Sequence, residues 1–457
     1  MIFSKKYKSI YTPCFVLCFL LILLGCQKKK KNVVVISIDT LRADHMGCYG
    51  YTRNTTPAID ALSNEGCVFT NVTSTSSWTA PAMASLFTTL MPSQHNIRHG
   101  VCQSGNIYGQ EILDASHMTL AEVLKENGLT TLGISSNPHL TPELGFAQGF
   151  DHFVVCKFKN AEEITKTAIE FMTQYANGKP FFLWVHYFDP HWPYSKQEPW
   201  FHTYAPDYQD ELRQFYDTNL PKVRTAAGIE KGTKILQSLV ALYDSEINYV
   251  DQSVGKLLDA IQGRGNTMIV LVSDHGEGFL EHDTLDHGYQ LYEESIHVPL
   301  IIRCPNVKPA KKSFNTTCSI IDIPLTILDW LGIKDRYHFQ GRSLLPFMKG
   351  KISDDTGESN PAAISELNRF GKNLISMRVG KWKYINDRKY GKEELYDLMA
   401  DPYETTNIIE REPLLHAEMK NRLSNWLVAT RKPKSKAKRA ILDQESLEKL
   451  RSLGYLE

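Results

Sequence analysis

The chain has 457 residues, 42% of them hydrophobic and 22% charged, with 51 basic side chains balanced by 51 acidic ones. That length exceeds one ordinary core and predicts a large domain with a smaller companion. The composition excludes a disordered or fibrous chain, and the zero net charge leaves no electrostatic case for a nucleic-acid partner.

Lys5, Lys6 and Lys8 precede an apolar run from Phe15 to Leu24 that closes on Leu23-Leu24-Gly25-Cys26. A basic segment before a short apolar one reads as a secretory signal, too short for a comfortable membrane span. The small residue followed by Cys26 resembles a bacterial lipobox. It implies removal of the signal within residues 1–26, lipidation of Cys26, and a soluble domain tethered to a membrane of the bacterial cell envelope, on the periplasmic or outer surface. An uncleaved anchor helix would give the same topology. Residues 27–32 form a polar spacer whose lysines can also meet anionic headgroups. Beyond Cys26 the cysteines are Cys48, Cys67, Cys102, Cys156, Cys304 and Cys318, an even set that permits disulfides, with no spacing that indicates a metal cluster.

Residues 32–38 are a near-continuous β-branched run, the pattern of a strand buried on both faces of a parallel sheet, and Asp39 follows directly. The stretch SSWTAPAMASLFTT, residues 76–89, reads as a loop feeding a helix, with Thr79 two residues before Pro81. A hydroxyl there lies beside unpaired backbone N–H groups and the positive end of the helix dipole, where an anionic ester is stabilised. Thr is also an ordinary N-cap. Helical patterns at 119–127, 161–176 and 235–262 then alternate with apolar runs at 130–135, 180–187 and 267–273. This alternation predicts an α/β fold, and in open sheets of that kind ligands bind at the carboxyl ends of the strands. Asp39, the residues after Trp184, and Asp274 are therefore expected to converge.

Residues 193–232 are aromatic-rich and charged without periodicity, and suggest an insertion that walls a substrate cleft. Past Phe347, strand-like pieces at 362–366, 374–379 and 381–385 precede a helix at 412–428. The expected organisation is an α/β domain over 33–347, a C-terminal subdomain over 348–430, and a solvated basic linker with a terminal helix over 431–457.

Two strand ends carry chemistry. Asp39 at a buried terminus must be paired, solvated or bound to a cation. Asp274 and His275, in SDHG after a second strand, place a carboxylate and an imidazole side by side, suited to a divalent metal with mixed oxygen and nitrogen ligands. With a deprotonated Thr79 these make a four-ligand set in which the metal lowers the hydroxyl pKa and screens an anionic ester. His186 and His191 in WVHYFDPHWPY, His282 and His287 in FLEHDTLDHG, and Asn137 and His139 in SSNPHLTPELGF cluster after strands, placed to donate to non-bridging oxygens and to a leaving group. A second metal held by some of these histidines is an alternative.

With these segments in view, the chain resembles the sulfatase family of the alkaline phosphatase superfamily. NVVVISIDTLRADHMGCYGYTRNTTPAIDALSNEGCVFTNV resembles the family's opening strand, SDHGEGFLEHDTLDHGYQLYEESIHVPLII its second metal motif, and IIDIPLTILDWLGI, GRSLLP and ELYDLMADPYETTN later signatures. The resemblance implies a large mixed, mostly parallel sheet with helices on both faces, plus a small C-terminal antiparallel sheet of four strands. It implies hydrolysis of sulfate esters and one divalent cation, commonly calcium, with manganese or zinc as alternatives. By position, Asp39, Asp274 and His275 take the metal, His191 and His287 the oxyanion or leaving group, and Asn137 and His139 occupy the place of the family's Lys-Trp-His donors.

The chain departs from the family where the nucleophile is made. Sulfatases carry Cys or Ser in Cys-x-Pro-Ser-Arg, converted to formylglycine; here the positions are Thr79-Ala80-Pro81-Ala82-Met83. Threonine cannot give the aldehyde, because its carbinol carbon carries a methyl group, so no formylglycine is expected. Thr40 replaces the second Asp of the family's Asp-Asp pair, and Asn137 replaces a Lys. Phosphodiesterases and phospho-group transferases of the superfamily use a metal-bound Thr directly. The expected function is a membrane-anchored ester hydrolase acting on an anionic glycan or lipid ester. Phosphodiester or phosphonate hydrolysis, phospho-group transfer, and a non-catalytic binding protein are the competing readings.

Overall fold

The computed structural model describes residues 30–104, 107–156, 160–194, 203–204, 231–353, 361–430 and 437–452. The expected signal, Cys26, and nearly all of the 193–232 insertion lie outside these residues.

β-branched and aromatic runs build an eight-stranded central sheet. Its strands are β1 (Lys31–Ile38), β2 (Cys67–Phe69), β3 (Thr130–Ser135), β4 (His152–Val155), β5 (Phe181–Tyr187), β6 (Asn266–Ser273), β7 (Leu300–Arg303) and β8 (Ser313–Phe314), in the order β8-β2-β7-β6-β1-β5-β3-β4. The pairings are parallel except those of β7 with β2 and β6. Strand β1 begins at Lys31, so the last residues of the expected spacer belong to the sheet.

Alternation within β1 divides the core in two. Val33 and Val35 face one layer with Met83, Leu86 and Phe87 of helix α2 (Thr79–Thr88), Leu120 and Leu124 of α3 (Leu120–Glu126), and Ile323 and Ile327 of α6 (Asp322–Leu331). Val34, Ile36 and Ile38 face the other, with Ile59 and Leu62 of α1 (Pro57–Glu65), Ile164 and Ala168 of α4 (Ala161–Tyr175), and Leu242, Val250 and Leu257 of α5 (Lys234–Ile261). A strand that is apolar at every position is the natural filling between two helical layers. Among the described residues no helix is long and apolar enough to cross a membrane, and all six described cysteines are free.

The C-terminal sheet is antiparallel: β9 (Ala363–Leu367), β10 (Leu374–Val379), β11 (Trp382–Asp387) and β12 (Lys392–Asp397), in chain order. Helix α7 (Pro413–Ala429) covers it through Met419 and Leu423. The basic run read as a solvated linker ends in structure. Arg439–Ile441 pairs antiparallel with Ile107–Glu111, and a last helix spans Gln444–Ser452. A short strand docked by backbone bonds to a distant edge leaves no periodic trace in so basic a segment.

Buried charge ties the C-terminal sheet to the short helix Glu293–Ile296 that precedes β7. Lys383 of β11, fully buried, lies 2.9 Å from Glu293 and 2.8 Å from Glu404, and Arg378 Nη1 is 2.6 Å from the other oxygen of Glu293. Removing one partner of such a network strands the others without water. Lys383→Met is expected to cost about 3–5 kcal/mol in chemical denaturation, with part recovered when Glu404→Gln is added. An unchanged midpoint would contradict this account of the interface.

A second expectation concerns acid. His95 is buried; Ile97 N–H donates to its Nδ1 at 3.1 Å and its Nε2 lies 3.1 Å from Ser85 Oγ of α2. Burial pushes the imidazole down to about 3. A depressed histidine contributes stability that is complete above its unfolded value of 6.5 and is lost as pH falls toward 3. Acid unfolding should steepen in that window by up to about 1.4 kcal/mol per pH unit, and His95→Gln, which takes no proton, should flatten it.

Candidate active site

Register brings the strand ends together. Ile38 pairs with Ser273 and Ser37 with His186, so Asp39 and Asp274 leave adjacent strands level with each other, and His186 sits beside Asp39 on the opposite strand. Thr40 follows with φ of 55°, rare for a β-branched residue, and its N–H reaches Asp274 Oδ1 at 3.3 Å. Tyr243 of α5 holds this turn: its hydroxyl donates to Thr40 O at 2.7 Å and accepts from Arg42 N–H at 3.0 Å.

Thr79 is the first residue of α2, and Trp78, not Thr79, occupies the N-cap position. The capping interpretation is thereby set aside. Thr79 Oγ1 lies 3.2 Å from His275 Nε2 and 3.4 Å from Asn137 Nδ2, and its side chain is buried. It turns from the helix backbone toward the strand ends.

Hydrogen bonds define which atoms face the centre. His275 Nδ1 donates to Gly276 O at 2.9 Å, so Nε2 carries the lone pair. That nitrogen is 3.5 Å from Asp39 Oδ1 and 3.4 Å from Asp274 Oδ2. The bend after His275 requires glycine, since a Cβ on Gly276 would stand 2.0 Å from Glu294 O. Asn137 Oδ1 accepts His139 N–H at 2.8 Å, which turns the amide NH₂ toward Asp39 Oδ2 at 2.6 Å. Trp184 Nε1 donates to Ser37 Oγ, and Ser37 bonds His186 Nδ1, both at 2.9 Å; His186 Nε2–H therefore donates to Asp39 Oδ2 at 3.2 Å.

Two acceptor atoms remain aimed at one point. Asp39 Oδ1 and Asp274 Oδ2 are buried and accept no hydrogen bond from the described residues. Burial would raise the Asp39 carboxyl, but His191, His186 and His275 around it hold it below the usual carboxylate range. Burial and then the charge of Asp39 push Asp274 up. Two carboxylates that face each other in a dry site, with an imidazole lone pair within 4.8 Å of both, fit a divalent cation. Thr79 Oγ1 lies beside them, 3.2 Å from His275 Nε2.

His287 stands over this group, its ring 4.4 Å from that of His275. Its Nδ1 lies 2.8 Å from Asp286 and 3.2 Å from Glu277; burial alone would lower it, but the two carboxylates raise it to about 10. His191 packs edge-on against His287 at 4.9 Å and donates Nδ1–H to Trp192 O. Burial, with the neighbouring His287, pushes His191 down to about 3. His139 bonds Gln110 Oε1 through Nδ1 at 2.9 Å, and burial followed by the charge of Arg369 lowers it to about 3.

Asn137, His139, His191 and His287 thus join Asp39, Thr79, Asp274 and His275 at one centre. His186 is there too, but both ring nitrogens are engaged below it, on Ser37 and Asp39. His282 is not: it stacks on Tyr292 at 3.5 Å and bonds Glu294 and Glu404 O at the seam with the C-terminal sheet. Two residues separate it from the strand Leu285–Asp286, whose turn sends His287 inward and His282 outward. Sequence reasoning passed over Glu277 and Asp286, although both lie inside the quoted motif, and Gln110 and Arg369, which had no local signal.

An open, mostly parallel α/β sheet with acid, hydroxyl and imidazole donors gathered at its strand ends defines an ester hydrolase of the alkaline phosphatase superfamily. The profile of the sulfatase family matches residues 31–333, and that of the C-terminal part of N-sulphoglucosamine sulphohydrolase matches residues 280–432. The chain belongs to the sulfatase family. A Δ4,5-hexuronate-2-O-sulfatase from Bacteroides thetaiotaomicron is 24% identical over 420 residues, covering 83% of this chain and 85% of its own. The solved phosphonate monoester hydrolase of Agrobacterium radiobacter superposes with a TM-score of 0.69 at 23% identity, over 88% of this chain and 96% of its own. A solved relative in complex with its substrate D-glucosamine-2-N,6-O-disulfate gives 0.70 at 22%, over 87% and 97%.

Proposed function

We propose that this protein is a metal-dependent hydrolase of sulfate esters at the bacterial cell envelope, with Thr79 as direct nucleophile. The observation that carries this reading is the convergence of Thr79 Oγ1, His275 Nε2, Asp39 Oδ1 and Asp274 Oδ2. A divalent cation held by these four, calcium by family and manganese or zinc as alternatives, would lower the hydroxyl pKa and screen the ester's charge. Thr79 Oγ1, already deprotonated, bonds to sulfur as the bond from sulfur to the alcohol oxygen breaks, and that oxygen takes a proton from His287, held between Glu277 and Asp286. Asn137 Nδ2 keeps the hydroxyl and Asp39 in register. Water then attacks the same sulfur, His287, neutral after the first step, takes its proton, and Thr79 departs from sulfate.

The substrate class is an anionic glycan, supported by relatives that act on sulfated sugars. The lipid anchor at Cys26 and the envelope address rest on the sequence. A second reading, hydrolysis of phosphonate or phosphate esters, has its own support: a threonyl sulfate has no geminal hydroxyl through which to eliminate, and a phosphonate monoester hydrolase shares the fold. Turnover of nitrophenyl sulfate, a phosphate diester and a phosphonate monoester by the full chain, loaded in turn with calcium, manganese and zinc, separates the two. No turnover of any ester with any metal would overturn both.

A further inference from the structure

Near the nucleophile the chain lacks the cations of the family motif. The corresponding positions are Met83, buried in α2, and neutral Asn137. A guanidinium arrives instead from the other end of the chain. Arg369 lies in the ELNRFGKN turn between β9 and β10 and is 4% exposed. Its Cζ stands 4.4 Å from the centre of the Trp78 ring, next to Thr79 in the chain, and 4.3 Å from that of Phe370. Strand β9 is latched to the loop that carries Trp78: Glu366 N–H donates to Thr75 O at 2.8 Å, and Ser76 Oγ donates to Glu366 O at 2.8 Å.

Two glycines open the space that the guanidinium enters. A Cβ on Gly288, the residue after His287, would lie 3.0 Å from Arg369 Nη1, and one on Gly100 would lie 3.5 Å from Nε. Both glycines have positive φ, so a side chain there is disfavoured twice over. Trp78 also packs edge-on against His139 at 6.0 Å, and the Arg369 charge acts on His139. The guanidinium is therefore bordered by Trp78, Gly288 and Gly100, and Trp78 and Gly288 are the chain neighbours of Thr79 and His287.

A planar fork held by aromatic faces is preorganised for a two-oxygen anion. Its place beside the centre, rather than in it, suits a charge carried by the substrate's alcohol portion. We propose that Arg369 is a specificity residue that grips a second anionic group, a carboxylate or a further sulfate, next to the ester cleaved at Thr79. This rests on the assignment of Thr79 as the point of attack, and it narrows the substrate class to glycan esters with a neighbouring negative charge.

The test uses the metal-loaded full chain and mono-O-sulfated disaccharides in matched pairs: hexuronate as free acid or methyl ester, and amine as N-sulfate or N-acetyl. Wild type should prefer one charged form by at least about tenfold in kcat/KM, the scale of one charge-assisted bidentate contact. Which pair shows the preference tells carboxylate from sulfate. Arg369→Met should reduce the preference below about threefold through KM, with Arg369→Lys between the two. No preference in wild type, or a preference retained in Arg369→Met, would overturn the proposal. So would an equal loss on charged and neutral forms by a folded Arg369→Met, because the guanidinium would then act on the ester itself. If no disaccharide is turned over, calorimetry still decides: weaker binding of only the charged form to Arg369→Met supports the assignment, and equal affinities overturn it. Absent turnover with that selective loss of binding would place the failure with the Thr79 chemistry and not with Arg369.

Discussion

Replacing Thr79 by alanine is expected to lower kcat by at least about 10³-fold on any ester the protein turns over, because the attacking oxygen is gone while the cation and its carboxylates remain. Thr79→Ser is the informative partner. It keeps the hydroxyl at the helix N-terminus and deletes one buried methyl, worth about 1 kcal/mol, so its rate should stay within about tenfold of wild type. The contrast separates a nucleophile from a packing residue, since both variants lose the methyl group and only one loses the oxygen. Equal losses in the two would place the importance of Thr79 in packing against Asn137 and His275.

The second large effect is on the metal. Asp39 and Asp274 face each other with one bare oxygen apiece, and Asp274 is already pushed up by burial and by Asp39. A raised carboxyl contributes stability that is present below its unfolded value and lost as pH rises through its folded one, so the metal-free protein is weakened at neutral pH. Chelation should abolish turnover and lower the melting temperature by a few degrees, the expected consequence of losing about 3 kcal/mol of ligand binding. Asp274→Asn should remove that metal-dependent shift and, with the like charge gone, melt above the chelated wild type. A variant that melts with the chelated wild type and still responds fully to calcium would contradict the four-donor site.

The central sheet was legible because burial on both faces writes an uninterrupted apolar word, as in 32–38, 180–187 and 267–273. The strand-end acids were legible for the same reason: a carboxylate straight after such a word has nowhere dry to go. Thr79 was harder. Its neighbours advertise a helix start, and only the register of Asp274 and His275 against Asp39 shows that the side chain leaves the helix for His275. His282 looked like His287 in sequence, five residues apart in one motif, and the turn at Leu285–Asp286 sends them to different interfaces. Arg369 could not be found from sequence, since its place over Trp78 depends on the docking of β9 on the Thr75–Ser76 loop, a contact between segments nearly 300 residues apart.

Nucleophilic attack by Thr79 leaves a covalent ester on its Oγ1, and mass spectrometry of the quenched reaction tests this most directly. With metal-loaded protein and a slowly resolved ester, the peptide that contains Thr79 should gain one sulfuryl or phosphoryl group, absent from Thr79→Ala and from chelated protein. Multiple turnovers with no adduct at any time point, matched by wild-type rates in Thr79→Ala, would contradict it.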